Sequence, residues 1–234
     1  MKVEIWSDVA CPFCYIGKKH FEKALEALPF KESVEVEWKS FQLDPSIPEE
    51  GLQMTSAEYL EKRKGYPKQQ LDQMFQHLAQ QGKTVGIDFK NEQAIPANTF
   101  KAHRLIHFAQ NAGKGSEIEE ALFKAHFTDG KDVNNTNVLV ELAGEIGIDT
   151  QAANKVLTSE QHTDDVKKDI AEARQFNIQG VPFFVIDRKY GLSGAQPIDA
   201  FKQALTQAYE ESKPKFEMKG NAESDACGPE GCEV

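Results

Sequence analysis

The chain has 234 residues, enough for one large domain or two small ones, and for a hydrophobic core without disulfide staples. Its formal net charge is −10 at pH 7 and no stretch approaches the length of a membrane span, which excludes a basic nucleic-acid footprint, attraction to anionic membranes and a bilayer-crossing helix. Four cysteines near the two ends are too few for a stapled secreted scaffold, and no apolar leader precedes the first strand; a cytoplasmic location is expected, where a cysteine pair more often works than staples.

Val3-Glu4-Ile5-Trp6 reads as a short strand, and Cys11-Pro12-Phe13-Cys14 stands where it gives way to a helix over about 12–28. Ile16, Phe21, Ala24, Leu25 and Leu28 form that helix's apolar face, and Pro29 stops it. Proline is favoured at the first helical position, which makes Cys11 the N-cap. Its sulfur then meets unpaired backbone N–H groups and the positive end of the helix dipole, and both favour the nucleophilic thiolate. Cys14, one turn further along the same face, is the more sheltered. The reading is a dithiol–disulfide couple in which Cys11 attacks and Cys14 resolves. Two other readings of this spacing stand beside it, half of a zinc site and a pair of inert buried thiols.

Residues 33–43 alternate apolar and charged side chains as a strand does, so strand, helix and strand make a βαβ unit with parallel neighbours. Ligands of open α/β sheets bind beyond the carboxyl ends of the strands, which is where Cys11 lies. Residues 44–51 are loop by composition. Helical periodicity then runs from about 56 to 176: a segment capped at Ser56 with Glu58 and broken at Gly65-Tyr66-Pro67, then about 68–81, 100–112, 117–127, 135–146, 150–157 and 161–176. His103 and His107 are four apart on one of these helices; no carboxylate at matching spacing completes a metal set, so both read as structural and no metal site is expected.

The wholly apolar run 183–186 reads as a central buried strand, with 190–193 as its antiparallel neighbour and a last helix over about 198–211. Pro182, just ahead of that strand, gives up a ladder donor. Its position makes sense if the Val181–Pro182 bond is cis and nearby backbone groups are left to pair with a substrate; a trans proline that simply starts the strand fits equally well. Residues 218–234 are polar and aperiodic, and there Cys227 and Cys232 flank a Gly-Pro-Glu-Gly turn, which could bring their sulfurs close enough to bridge. They are either a second redox pair or incidental tail cysteines.

Taken together, Trp6-Ser7-Asp8 before the Cys11–Cys14 motif, Asn98-Thr99-Phe100 with Ala102-His103-Arg104-Leu105, Gly180-Val181-Pro182-Phe183-Phe184, Ser193-Gly194-Ala195-Gln196-Pro197 and the Cys227/Cys232 pair resemble the DsbA-like thioredoxin-fold disulfide oxidoreductases, in particular their cytoplasmic FrnE-like branch. The resemblance covers almost the whole chain. It implies an α/β thioredoxin-like fold with a large all-helical insertion: a discontinuous thioredoxin-like domain at 1–45 and 160–212, an inserted helical domain at 46–159 and a tail at 213–234. It implies disulfide exchange as the activity, without a cofactor, and Pro182 as a cis-proline facing the dithiol. The Val181 backbone would then hold a client in extended form, with Trp6, Phe13 and Phe183 as candidate apolar walls. Protein thiols and disulfides are the expected clients, and glutathione or a thioredoxin system the expected electron partner. Neither nucleic acid nor membrane is an expected partner, and the oligomeric state, a homodimer included, is left open. Periplasmic DsbA has histidine between its cysteines where Pro12 and Phe13 stand here; Phe13 offers a thiolate no charge, so a less acidic Cys11 and a weaker oxidant are expected. Whether the chain oxidises, reduces or isomerises is therefore open. Two rival functions remain. Kappa-type glutathione transferases and 2-hydroxychromene-2-carboxylate isomerases share the inserted-helix architecture but work with serine in place of Cys11. A zinc-binding module would use Cys11, Cys14, Cys227 and Cys232.

Overall fold

The computed structural model describes residues 1–213, so the Cys227/Cys232 pair lies outside the described residues. Its sheet is built from β1 (Lys2–Ser7), β2 (Glu35–Ser40), β3 (Phe183–Ile186) and β4 (Tyr190–Ser193), in the order β2-β1-β3-β4. β1 runs parallel to β2, as the βαβ pattern requires, and antiparallel to β3, which in turn pairs antiparallel with β4. The crossover between the parallel pair is α1 (Pro12–Glu26). β2 is shorter than the alternation suggests: residues 31–33 form a 3₁₀ turn, and beyond Ser40 the Leu43 N–H is taken by the Asp8 carboxylate at 2.7 Å rather than by a strand.

Alternation along the strands decides which face each residue serves. Ile5 and Phe184 are register partners on one face, where Phe184 packs with Phe21 of α1 and with Phe201 of α9 (Ile198–Ser212) at ring-centroid distances of 5.7 and 4.6 Å. Trp6 and Val185 face the other way, onto Ala173 of α8 (Thr163–Gln175) and Ile178. Glu4 lies on that side too and is held by the Arg188 guanidinium through two hydrogen bonds of 2.9 and 2.6 Å.

Between β2 and β3 the chain forms α2 (Ser56–Lys62), α3 (Lys68–Val85), α4 (Phe100–Asn111), α5 (Gly115–Phe127), α6 (Thr136–Glu145), α7 (Thr150–Leu157) and α8. Thr55, one residue before the expected Ser56, caps α2: its hydroxyl accepts the Glu58 N–H at 3.2 Å while the Glu58 carboxylate accepts the Thr55 N–H at 3.0 Å. α3 runs past residue 81 to Val85 and stops at Gly86, whose φ of 80° is the left-handed conformation that ends helices. One hydrophobic core joins Val3, Ile5, Trp38 and Phe184 of the sheet to Ala102, Leu105, Leu122, Leu139 and Leu142 of the helices. Among the described residues no helix is long and apolar enough to cross a membrane.

Candidate active site

Because β1 and β3 are neighbours in the sheet, with Trp6 opposite Phe183, the residues that follow β1 meet those that precede β3. Cys11 is the N-cap of α1, in extended backbone (φ −99°, ψ 111°), with Pro12 as the first helical residue. Its N–H is donated to the Asp8 carbonyl at 2.9 Å, and its own carbonyl accepts the Cys14 N–H at 3.0 Å. Both cysteines are free thiols. The Cys11 Sγ donates to the Val181 carbonyl at 3.5 Å, 170 residues away in sequence. The Val181–Pro182 peptide bond is cis. Gly17 of α1 permits this approach: a Cβ there would lie 2.9 Å from Pro182 Cγ and 3.4 Å from the Phe184 ring.

Cys11 is 5 % exposed and Cys14 1 %. The difference matters because a cleft of about 460 Å³ opens onto Cys11, with Cys14 behind it. Phe13, Val181, Met74, Phe75 and Leu78 are among its walls, and Phe13 and Leu43, 40 % and 49 % exposed, carry its apolar surface out to solvent. Burial pushes the Cys14 thiol well up from its ordinary value, the neighbouring Cys11 sulfur adds to this, and the Asp8 backbone N–H only partly offsets it. Cys14 therefore keeps its proton while Cys11 faces the cleft.

Behind the thiols lies a set of buried ionisable groups. Burial alone would raise the Asp8 carboxyl, but His103, whose Nε2 is 3.5 Å away, together with the Leu43 N–H holds it below the usual range. Burial pushes Glu119 of α5 up to about 8, with Lys18 opposing and Asp8 and Glu120 adding to the rise. Burial also drives His126, on the cleft wall, down to about 4, so it is a neutral imidazole at neutral pH. Glu120 fastens α1 to α5 by accepting from Tyr15 Oη, Lys18 Nζ and Lys19 Nζ at 2.8, 2.8 and 2.6 Å.

The structure thus brings Cys11, Cys14, Phe13, Val181 and Pro182 together. Trp6 does not join them, which corrects its assignment as a client-facing wall: its ring is fully buried on the α8 face of the sheet, and its indole N–H donates to the Asp169 carbonyl at 3.1 Å. Phe183 likewise turns to that face and packs on Gly191 of β4. His103 and His107 each have their own carboxylate, Asp8 and Asp169, the latter at 2.9 Å. Among the described residues no three His, Cys, Asp or Glu side chains are placed to hold a metal ion. Gly17, Leu43, Glu119 and His126 were not anticipated as parts of the site, and Asp8 entered only within the Trp6-Ser7-Asp8 motif. A glycine inside a helical pattern was the one local signal, at Gly17; the others gain their surroundings only from distant parts of the chain.

Residues 2–206 match the family model of the DSBA-like thioredoxin domain. YwbO of Bacillus subtilis, an uncharacterized protein, is 30% identical over 207 residues, which span 87% of this chain and 95% of that protein. A probable DsbA oxidoreductase from Streptomyces coelicolor superposes with a TM-score of 0.86 at 40% identity, over 100% of this chain and 99% of its own. A 2-hydroxychromene-2-carboxylate isomerase superposes with a TM-score of 0.66 at 15% identity, over 90% and 97% of the two chains, which is a likeness of fold alone.

Proposed function

Since the chain belongs to the DSBA-like thioredoxin family, whose chemistry is thiol–disulfide exchange, we propose that Cys11 and Cys14 are its exchanging pair and that proteins are its clients. The observation that carries this reading is the ordering of the two sulfurs, Cys11 on the cleft against the Val181 carbonyl and Cys14 sealed behind it. The Cys11 thiolate attacks one sulfur of a client disulfide; the other sulfur leaves as a thiolate and takes a proton from solvent. Cys14 then gives up its proton and attacks the Cys11 sulfur of the mixed disulfide, which releases the second client thiolate and leaves a Cys11–Cys14 disulfide. Two electrons have passed from the pair to the client. Run in reverse, the same steps oxidise a client dithiol.

The Val181 backbone, one residue ahead of the cis-proline, holds the client extended beside Cys11. In a reducing cytoplasm, glutathione or a thioredoxin system returns the electrons, and client reduction is the forward direction. The Cys227/Cys232 pair serves as a second redox couple. A glutathione transferase or isomerase on this fold gives Cys14 no task; its position behind Cys11 favours exchange.

Cys11→Ser is expected to abolish reduction of insulin, and Cys14→Ser to accumulate a mixed disulfide on Cys11 that survives non-reducing electrophoresis. Full insulin reduction by Cys11→Ser ends the proposal. For the tail, Cys227→Ser with Cys232→Ser is expected to slow turnover with thioredoxin as donor; an unchanged rate removes the tail from the cycle.

A further inference from the structure

The cleft beside Cys11 holds more than the exchange step uses. Its volume of about 460 Å³ is at the smaller end of ligand cavities, which run from about 300 to 1,000 Å³. Leu43, Ile47, Met74, Phe75, Leu78 and Phe127 make its walls predominantly apolar. Its charged groups leave no cation to spare. The Lys64 ammonium is taken by the Asp44 carboxylate, which also accepts from Tyr59 Oη. Asp8 is bound by His103 and two backbone N–H groups. An incoming carboxylate would therefore lose water without gaining a partner of opposite charge. One titratable side chain of its lining is left without a partner. His126 is 3 % exposed, lines this cleft and is uncharged at neutral pH, and its Nδ1 has no hydrogen-bond partner among the described residues. A buried polar nitrogen without a partner is costly, and a ligand that supplies one recovers that cost.

We propose that this cleft receives an aromatic side chain that a polypeptide client carries next to its reacting cysteine, and that His126 selects rings with a polar substituent, such as a phenol or an indole N–H. This rests on Cys11 being the attacking sulfur. The cleft opens onto Cys11, so a side chain inside it belongs to a residue adjacent to the sulfur under attack. A polypeptide is favoured over a small aromatic molecule because the apolar surface continues outside the cavity. Phe13 and Leu43 are 40 % and 49 % exposed on its rim, where a molecule confined to the cleft leaves them in water and a chain lying along Val181 covers them. The apolar walls and committed cations disfavour the two carboxylates of a glutathione-like tripeptide.

The test uses the full-length, pre-reduced protein in single turnover. The probes are capped peptides Gly-Xaa-Cys-Gly, linked through their cysteine to 2-nitro-5-thiobenzoate, with Xaa as Tyr, Phe, Ser or Asp. Cys11 attacks the peptide sulfur, the coloured thiolate leaves, and Cys14 then displaces the peptide thiol, so no outside reductant is needed. The expected second-order rates place Phe about tenfold above Ser, Tyr about threefold above Phe, and Asp below Ser. His126→Leu removes the advantage of Tyr over Phe and keeps that of Phe over Ser, while His126→Gln restores part of the former. Should His126→Leu not fold, Met74→Lys, at a half-buried wall position, is expected to lose the Phe-over-Ser ratio. Equal rates for Phe and Ser overturn the aromatic subsite, and a Tyr preference that survives in His126→Leu or His126→Gln at parental size overturns the role of His126. Absence of coloured thiolate from every peptide overturns instead the parent reading of Cys11.

Discussion

Glu119 is 1 % exposed on α5, one Oε has no partner, and burial carries its carboxyl from 4.5 up to about 8. The sign of its effect on stability follows from which state binds the proton. Below about pH 4.5 the folded and unfolded chains both hold it; as pH rises the unfolded chain releases it first, so stability is withdrawn progressively up to about pH 8. His126 acts in another window: with a folded value near 4 against 6.5, its contribution is present above 6.5 and lost as pH falls through 4. The interval from pH 6.5 to 8 therefore isolates Glu119. Glu119→Gln is expected to flatten the stability slope there by more than about 1 kcal/mol, since one pKa unit corresponds to about 1.4 kcal/mol. Urea midpoints that fall equally with pH in the variant and the parent would refute the assignment. Nothing local in the sequence marks this residue, one of 37 acidic positions; it becomes unusual only when α5 lies against α1. Cys11 and Cys14 were legible because their chemistry is set by a neighbouring strand, a proline and one helical turn.

At the level of elements, the placement of α1 decides whether the thiols meet the loop before β3. The helix approaches closely enough that Gly17 has no room for a side chain, with Pro182 Cγ 2.9 Å from the position of its missing Cβ. Alanine at an interior helical position is worth about 0.5–1 kcal/mol over glycine, but crowding a packed interface costs about 1–3 kcal/mol, and the proline ring has little freedom to yield. Gly17→Ala is therefore expected to lower stability by about 1 kcal/mol and to slow insulin reduction several-fold, because Val181 moves away from Cys11. A variant that melts higher at an unchanged rate sinks the argument. Helices and strands themselves were readable from periodicity, and their errors have local causes. β2 ends early because a carboxylate competes for the Leu43 N–H, and α3 runs late because its stop is Gly86. The face of the sheet that Trp6 serves was not readable, since the first strand is buried on both sides and apolar alternation carries no sign there.

Across the molecule, the helical insertion and the sheet hold one another in place. β2 is an edge strand, and the amide of Gln110 on α4 closes it as a further strand would, accepting the Trp38 N–H at 2.6 Å and donating to the Trp38 carbonyl at 3.0 Å. Trp38 also donates from its ring to Ser116 Oγ of α5 at 3.1 Å. Leu105 of α4 is fully buried in the same core as Ile5 and Phe184. Sharing of this kind predicts a single cooperative transition rather than independent melting of the insertion. The two tryptophans, Trp6 and Trp38, both stand on the sheet, so fluorescence follows the sheet while far-UV circular dichroism follows the helices. Leu105→Ala removes apolar volume from the insertion alone and is expected to cost about 2–5 kcal/mol. If the core is one, fluorescence and dichroism midpoints shift together by that amount. If dichroism shifts while the tryptophan signal stays at its parental midpoint, the insertion is a separate folding unit, and the cleft between it and Cys11 is the part of the molecule first lost on warming.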